Sequence, residues 1–217
     1  MLLAIDTSTS WAGLALHGED GPHMSLRWRV ASSHTVQLMP WIDRLFETSG
    51  LAKSQLSGVA VATGPGSFTG LRVGLAAAKG LVFSLDLPLV GVSTLLYTAW
   101  PHRRVEMPIR AVAPLGRRRL AVGEYVMDSS AGLVERWVRN VLPEELTEAG
   151  RMLYCGEIGP ELAAVLARHP GPEVLAPEEG LRDPAVLAAL GWGRLARGEV
   201  GPAAVLQAEY LDSGWAP

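Results

Sequence analysis

Short apolar blocks punctuate the first hundred residues, and their spacing predicts alternating strands and helices. Residues 2–6, LLAID, are an apolar run closed by an aspartate, the pattern of a buried strand. Thr7, Ser8, Thr9 and Ser10 follow as a hydroxyl-rich turn. Residues 13–18 and 24–30 read as a second and a third strand, so the chain opens as a β-hairpin. Within 34–50, Leu38, Ile42, Leu45 and Ser49 recur at helical spacing, which predicts a helix stopped by Gly50. Pro40 bends this helix or marks its first turn. Beyond it, 58–63 predicts a buried strand, 69–85 a long helix, 89–92 a strand and 94–100 a helix.

The segment PHRRVEMP at 101–108 is polar, charged and bracketed by prolines, and it predicts a linker. Two domains are therefore expected, 1–100 and 101–217. After the linker the pattern restarts. Strands are expected over 109–113, 120–127 and 151–156, and helices over 160–168 and 184–197, with AEYLDSGWAP as an extended arm. Each half begins with strands and continues to helices, which suggests a remote duplication. The fold class is α/β, with a mixed sheet flanked by helices in each half.

The most distinctive stretch is VATGPGSFTGLRVG, residues 61–74. Gly64, Pro65, Gly66, Ser67, Phe68 and Thr69 form a loop from strand to helix, with Ser67 and Thr69 as candidate N-caps. Helix N-termini attract anions. The spacing, however, fits neither the P-loop nor the G-x-G-x-x-G fingerprint, and the loop has no lysine. Gly70, Gly74 and Ala78 then recur every four residues, so they share one helix face. Such a small-residue strip lets another backbone approach closely. The approaching element is either the protein's own sheet or a second chain.

Composition narrows the picture. With 48% hydrophobic residues, the 217-residue chain can build a full core. A net charge of −3 argues against a chain that coats nucleic acid over its whole surface. One cysteine, Cys155, excludes an internal disulfide framework. The N-terminus has no basic region before its apolar residues and does not read as a signal peptide. No run approaches the ~20 apolar residues of a membrane span. A soluble, cytoplasmic protein is expected, with no membrane contact.

Catalytic and metal-binding patterns are not found. The histidines, His17, His23, His34, His102 and His169, include no H-x-x-x-H or H-E-x-x-H pair. Gly66 directly precedes Ser67, so there is no G-x-S-x-G elbow. No catalytic residue and no metal site is assigned. His34 opens a helix, where capping or an interface contact suits it. Arg103, Arg104, Arg110 and Arg117–Arg119 make the middle of the chain basic. This stretch reads as a solvated loop, or as a contact for RNA phosphate or an acidic partner.

Four blocks, LLAIDTSTS, HTVQLMP at 34–40, GPGSFTGLRVG and GVSTL at 91–95, together resemble the bacterial TsaB family, also called YeaZ. They keep that family's order and spacing over most of residues 1–100. The second half departs from the family pattern. Ala113-Pro114-Leu115-Gly116-Arg117 stands where an Asp-Ala-Arg stretch is usual. The resemblance implies the two-lobed actin/Hsp70/sugar-kinase (ASKHA) fold. It implies a non-catalytic scaffold that works with a TsaD-like paralogue and a TsaE-like ATPase to form threonylcarbamoyladenosine beside the anticodon of tRNAs. Contact with tRNA would run mainly through the complex, and the protein alone would form a homodimer. In that family the interface implied here comprises His34, Leu38, Trp41, Ile42 and Leu45 on one helix, with Gly70, Leu71, Gly74 and Ala78 on the next. Asp6, Thr7, Ser8 and Thr9 correspond to the nucleotide-binding turn of ASKHA enzymes, or they only satisfy a hairpin turn. No cofactor would be held firmly, with ATP or ADP at the partner interface as the one candidate. The alternative is an autonomous ASKHA ATPase or phosphotransferase, which would carry an Asp-Gly-Gly type turn where this chain has Pro114-Leu115-Gly116.

Overall fold

Leu2–Asp6 (β1) is buried at every position, as its unbroken apolar run requires. It pairs antiparallel with Trp11–Gly18 (β2), which pairs antiparallel with Gly21–Arg29 (β3). On its other side β1 lies parallel to Gly58–Gly64 (β4), and β4 lies parallel to Leu89–Ser93 (β5). The sheet order is β3-β2-β1-β4-β5. The structure is a computed structural model that describes residues 1–30, 34–147 and 150–211, without the side chains of His34, Pro177 and Glu178. The role expected of the His34 side chain, and the chain end from Asp212 onward, lie outside the described residues.

The period-two pattern of β1 sends neighbouring side chains to opposite faces. Leu3 and Ile5 join one core with Leu38, Ile42 and Leu45 of His34–Ser49 (α1) and Leu75, Ala78 and Val82 of Phe68–Leu85 (α2). Pro40 lies inside α1 and does not end it. Leu2 faces Pro184–Ala196, numbered α6 below, where a Cβ on Gly191 would stand 2.4 Å from Ala60 Cβ and 3.6 Å from Leu2.

A second sheet repeats the first. Ile109–Gly116 (β6), Arg119–Asp128 (β7) and Gly132–Val141 (β8) form an antiparallel meander, and Met152–Gly156 (β9) and Pro172–Val174 (β10) continue it in parallel from β6. Taken from the hairpin edge, the order is β8-β7-β6-β9-β10, the same path as β3-β2-β1-β4-β5. The duplication suggested by the sequence is thus present as topology. Thr94–Ala99 (α3) covers one face, with Leu95 and Ala99 against Ile109, Ala111, Tyr125 and Cys155. Pro160–Leu166 (α4) covers the other, with Leu162 and Leu166 against Val112, Val122 and Tyr154. Pro177–Gly180 (α5) is a single turn ahead of α6.

The division into units differs from the expected break after residue 100. One unit comprises Met1–Ser93 and Asp183–Glu209, the other Thr94–Arg182 and Tyr210–Pro217. Packing explains the difference. The apolar side of α3 is buried on β6, β7 and β9, so Thr94–Ala99 belongs to the second sheet. The small residues of α6 let it lie close on β1 and β2, which returns the chain to the first. The stretch Ala203–Glu209 is anchored too. The Glu209 N–H donates to Thr63 O at 2.7 Å, and Thr63 Oγ1 donates to Glu209 Oε1 at 2.8 Å.

α2 is the one described helix long and apolar enough to cross a membrane. Its face of Gly70, Leu71, Gly74, Leu75, Ala78 and Val82 is buried in the unit's core, which accounts for that composition. Cys155 is buried, and desolvation pushes its thiol up to about 12, so it stays protonated and unreactive at neutral pH.

His17 carries a pH consequence. Its ring lies on β2, 8% exposed, and stacks on Trp192 of α6 at 5.7 Å. Burial lowers its pKa below the ordinary histidine value, and a backbone hydrogen bond at Gly18 opposes this more weakly. A lowered folded-state pKa means the unfolded chain takes up the proton first. Stability is then full above the unfolded value near 6.5 and drains as pH falls through the folded value. Thermal melts at pH 7.5 and 5.0 should show a lower Tm in acid. His17→Phe, which keeps the stack on Trp192, should lose less of its Tm than the parent over the same interval.

Candidate functional site

The turn that ends β1 is closed by its own residues. Asp6 Oδ1 accepts the Ser8 N–H at 2.8 Å, and Thr9 Oγ1 accepts the Trp11 N–H at 3.2 Å. The glycine-rich loop then folds down on the turn. The Ser67 N–H donates to Ser8 O at 2.6 Å, and Thr7 Oγ1 donates to Gly70 O at 2.7 Å. Gly66 is required by this contact, because a Cβ there would stand 2.2 Å from Ser8 O. Ser67 caps α2 as expected, its Oγ accepting the Gly70 N–H at 3.2 Å, while Thr69 lies in the first helical turn and is not the cap.

This geometry bears on the nucleotide expectation. Asp6, Thr7, Ser8 and Thr9 are each at most 3% exposed. The Thr7 hydroxyl, one Asp6 carboxylate oxygen and the Ser8 carbonyl are engaged inside the unit, and the loop backbone occupies the space above the turn. In this arrangement the turn is closed to solvent, and its buried Ser8 Oγ is left without a hydrogen-bond partner among the described residues. Gly64, Pro65, Gly66 and Ser67 act as a packing device.

The small-residue strip faces the protein's own sheet. A Cβ on Gly74 would stand 2.3 Å from Thr7 Oγ1 and 3.8 Å from Ile5 Cγ2. Gly70, Leu71, Gly74 and Ala78 are buried in the same unit, as are Leu38, Ile42 and Leu45 of α1. The expectation that these seven residues form a partner surface is therefore corrected. They form the intramolecular contact of α1 with β2 and β3 and of α2 with β1 and β4, because the apolar stripe of each helix turns to the nearest strands of the sheet.

Another face of the same helices stays open. Val36 is 69% exposed, Phe68 54%, Met39 42% and Trp41 38%. A groove of about 480 Å³ runs between α1 and α2, with Met39 on one side and Phe68, Arg72 and Val73 on the other. The Arg72 guanidinium covers the Phe68 ring at 3.8 Å. Trp41 stacks on Trp28 at 5.4 Å, and Trp28 Nε1 donates to Gln37 Oε1 at 3.3 Å, which fixes that end of α1. Of the expected interface residues, Trp41 is partly exposed, on the side of α1 that packs against Trp28 of β3. Val36, Met39 and Arg72 were missed, and Phe68 was read as loop. The signal for them was apolar residues lying off the Leu38–Ile42–Leu45 stripe.

Two arginines of the basic middle, Arg110 and Arg118, are paired with carboxylates. Arg110 is 3% exposed, and its Nε and Nη2 donate to Glu124 Oε2 at 3.0 and 2.9 Å while Nη1 donates to Tyr154 OH at 2.8 Å. Arg118 pairs with Glu144 and Glu161, and Arg119 bonds Asn140. A continuous phosphate-binding strip is not formed by these residues. Among the described residues no three His, Cys, Asp or Glu side chains converge as a metal-ligand set.

The duplicated sheets with flanking helices define a two-lobed α/β protein of the ASKHA type. The family model described as "TsaD: tRNA N6-adenosine threonylcarbamoyltransferase" matches residues 29–163. The tRNA threonylcarbamoyladenosine biosynthesis protein TsaB of Escherichia coli is 35% identical over 160 residues, covering 72% of this chain and 68% of that protein. The TsaB of Bacillus subtilis is 36% identical over 137 residues, covering 63% of this chain and 59% of that protein. Among solved structures, YeaZ from Pseudomonas aeruginosa superposes with a TM-score of 0.80 at 26% identity, over 97% of this chain and 99% of that one. The chain belongs to the TsaB (YeaZ) family.

The strip makes a direct prediction. Gly74→Leu forces a side chain into Thr7 and Ile5, and overpacking of this kind costs about 1–3 kcal/mol. The variant should melt several degrees lower as an isolated protein, measured by differential scanning calorimetry. An unchanged Tm would return the strip to a partner surface.

Proposed function

We propose that this chain is a non-catalytic subunit of the machinery that forms threonylcarbamoyladenosine on tRNA, and that it docks a TsaD-like paralogue through the open face of α1 and α2. The observation that carries this reading is that face. Met39, Phe68 and Val73 line an apolar groove between the two core helices, with Arg72 beside it and Val36 exposed on the neighbouring turn of α1. Exposed apolar groups gathered on one face mark a binding surface. Membership of the TsaB family supports the pathway, and the match to the TsaD model over 29–163 supports a paralogous partner with a similar helix pair. The same face would serve a homodimer when the partner is absent. A TsaE-like ATPase would join the assembly, and tRNA would be held mainly by the complex. The protein would work as a soluble component of the cytoplasm.

The closed turn over Asp6–Thr9 favours the scaffold over an autonomous ATPase or phosphotransferase, because the turn is buried and the Thr7 hydroxyl and an Asp6 carboxylate oxygen are engaged within the unit. Any ATP or ADP would sit at a joint surface with the partner and not be held firmly by this chain.

The test is Phe68→Glu combined with Val36→Glu. Neither side chain is buried, so the Tm should stay within about a degree of the parent. Affinity for the TsaD protein of the same organism, by calorimetry, should fall at least ~30-fold, the ~2 kcal/mol of an interface hot spot. Threonylcarbamoylation in the reconstituted reaction should fall with it. Undiminished affinity would move the interface elsewhere.

A further inference from the structure

The segment 101–108 raises a separate possibility. It is not a free linker. The Arg103 N–H bonds Trp100 O, the Val105 N–H bonds His102 O, and Val105 packs against the α3-side core of the second sheet. One side of the segment forms the wall of a cleft of about 630 Å³ in the second unit. Val126 and Met127 of β7 and Arg136 of β8 form the opposite wall.

Three arginines and one carboxylate line this cleft: Arg103, Arg104, Arg136 and Glu106. Arg103 is held on Trp100, and Arg136 projects from an irregular point of β8. Arg103 Nη1 donates to Trp100 O at 2.9 Å, and its guanidinium lies 4.7 Å from the Trp100 ring centroid. Arg136 is the extra residue of a β-bulge. Glu124 pairs with Trp137 and Tyr125 with Glu135, which leaves Arg136 between them on β8. A bulge re-aims a side chain, and here Arg136 Nη1 stands 3.7 Å from Glu124 Oε1 while the side chain remains 58% exposed. Arg104 is exposed.

The floor between these cations is aliphatic and thioether: Met107, Pro108, Val126 and Met127, the last 46% exposed. Methionine surfaces adapt to varied aliphatic side chains. Bases of single-stranded RNA stack on aromatic rings or guanidinium planes, and this floor offers no aromatic ring.

We infer that this cleft binds a short acidic peptide segment of a partner protein, with aliphatic side chains on the Met107–Met127 floor and carboxylates on Arg104 and Arg136. The volume is that of a small-ligand pocket, enough for a few residues. This face lies in the second unit and does not involve the α1/α2 surface, so its failure and that of the proposed function are independent.

The experiment is selection of a phage-displayed library of random dodecapeptides on the intact protein. Parallel selection uses Arg104→Glu/Arg136→Gln. Enriched peptides should carry at least two Asp or Glu residues flanking Leu, Ile, Val or Met. A synthetic copy of the leading peptide should bind the variant at least tenfold more weakly by fluorescence anisotropy, with unchanged Tm. Met127→Asp, which leaves the arginines in place, should also weaken it at least tenfold. Val36→Glu should leave it unchanged. Absence of enrichment over the variant, neutral or basic consensus peptides, or competition by a single-stranded RNA dodecamer with no peptide binding would overturn the assignment.

Discussion

The hydrogen bond from Thr7 Oγ1 to the Gly70 carbonyl requires α2 to lie closer to the end of β1 than a helix bearing side chains on that face could come. Gly74 clears the space around Thr7, and Gly66 clears the space over Ser8 O. A glycine inside a helix costs about 1 kcal/mol against alanine. That cost is offset by hydrogen bonds made in a buried setting, where an unmade one is expensive. The same contact fixes the direction in which α2 leaves β4. It thereby decides which residues of α1 and α2 join the core and which stay on the surface.

Function follows from that decision. Leu38, Ile42, Leu45, Leu75, Ala78 and Val82 are spent on the core. Val36, Met39, Phe68 and part of Trp41 remain, mounted on helices that cannot easily shift. In the turn that ends β1, Thr7 Oγ1 and Asp6 Oδ1 are engaged inside the same unit. The proposed partner role rests on the apolar groove that remains between the two helices.

Much of the first sheet was legible. Buried strands announced themselves as unbroken apolar runs, and the helix period located the core stripes of α1 and α2. Small residues on one helix face did not say what they faced; that depended on the position of Thr7, sixty-seven residues away from Gly74 in sequence. The second sheet was harder. In β8, GLVERWVRNV, the bulge at Arg136 breaks the alternation, and three charged residues interrupt the strand-forming ones. Arg110 reads as a surface cation until Glu124 and Tyr154 are brought beside it by register. The unit boundary was missed because α6 is amphipathic like any other helix. Only its close fit through Gly191 reveals that it returns to the first sheet.

The most direct measurement is amide hydrogen exchange at Ser67, followed by NMR in the free protein and with millimolar MgATP. If the loop is locked on the turn through Ser8 O, the Ser67 amide should exchange as slowly as the amides of β1, and nucleotide should leave it unchanged. Rapid exchange in the free protein, with protection gained when MgATP is added, would contradict the account and make the turn a nucleotide site.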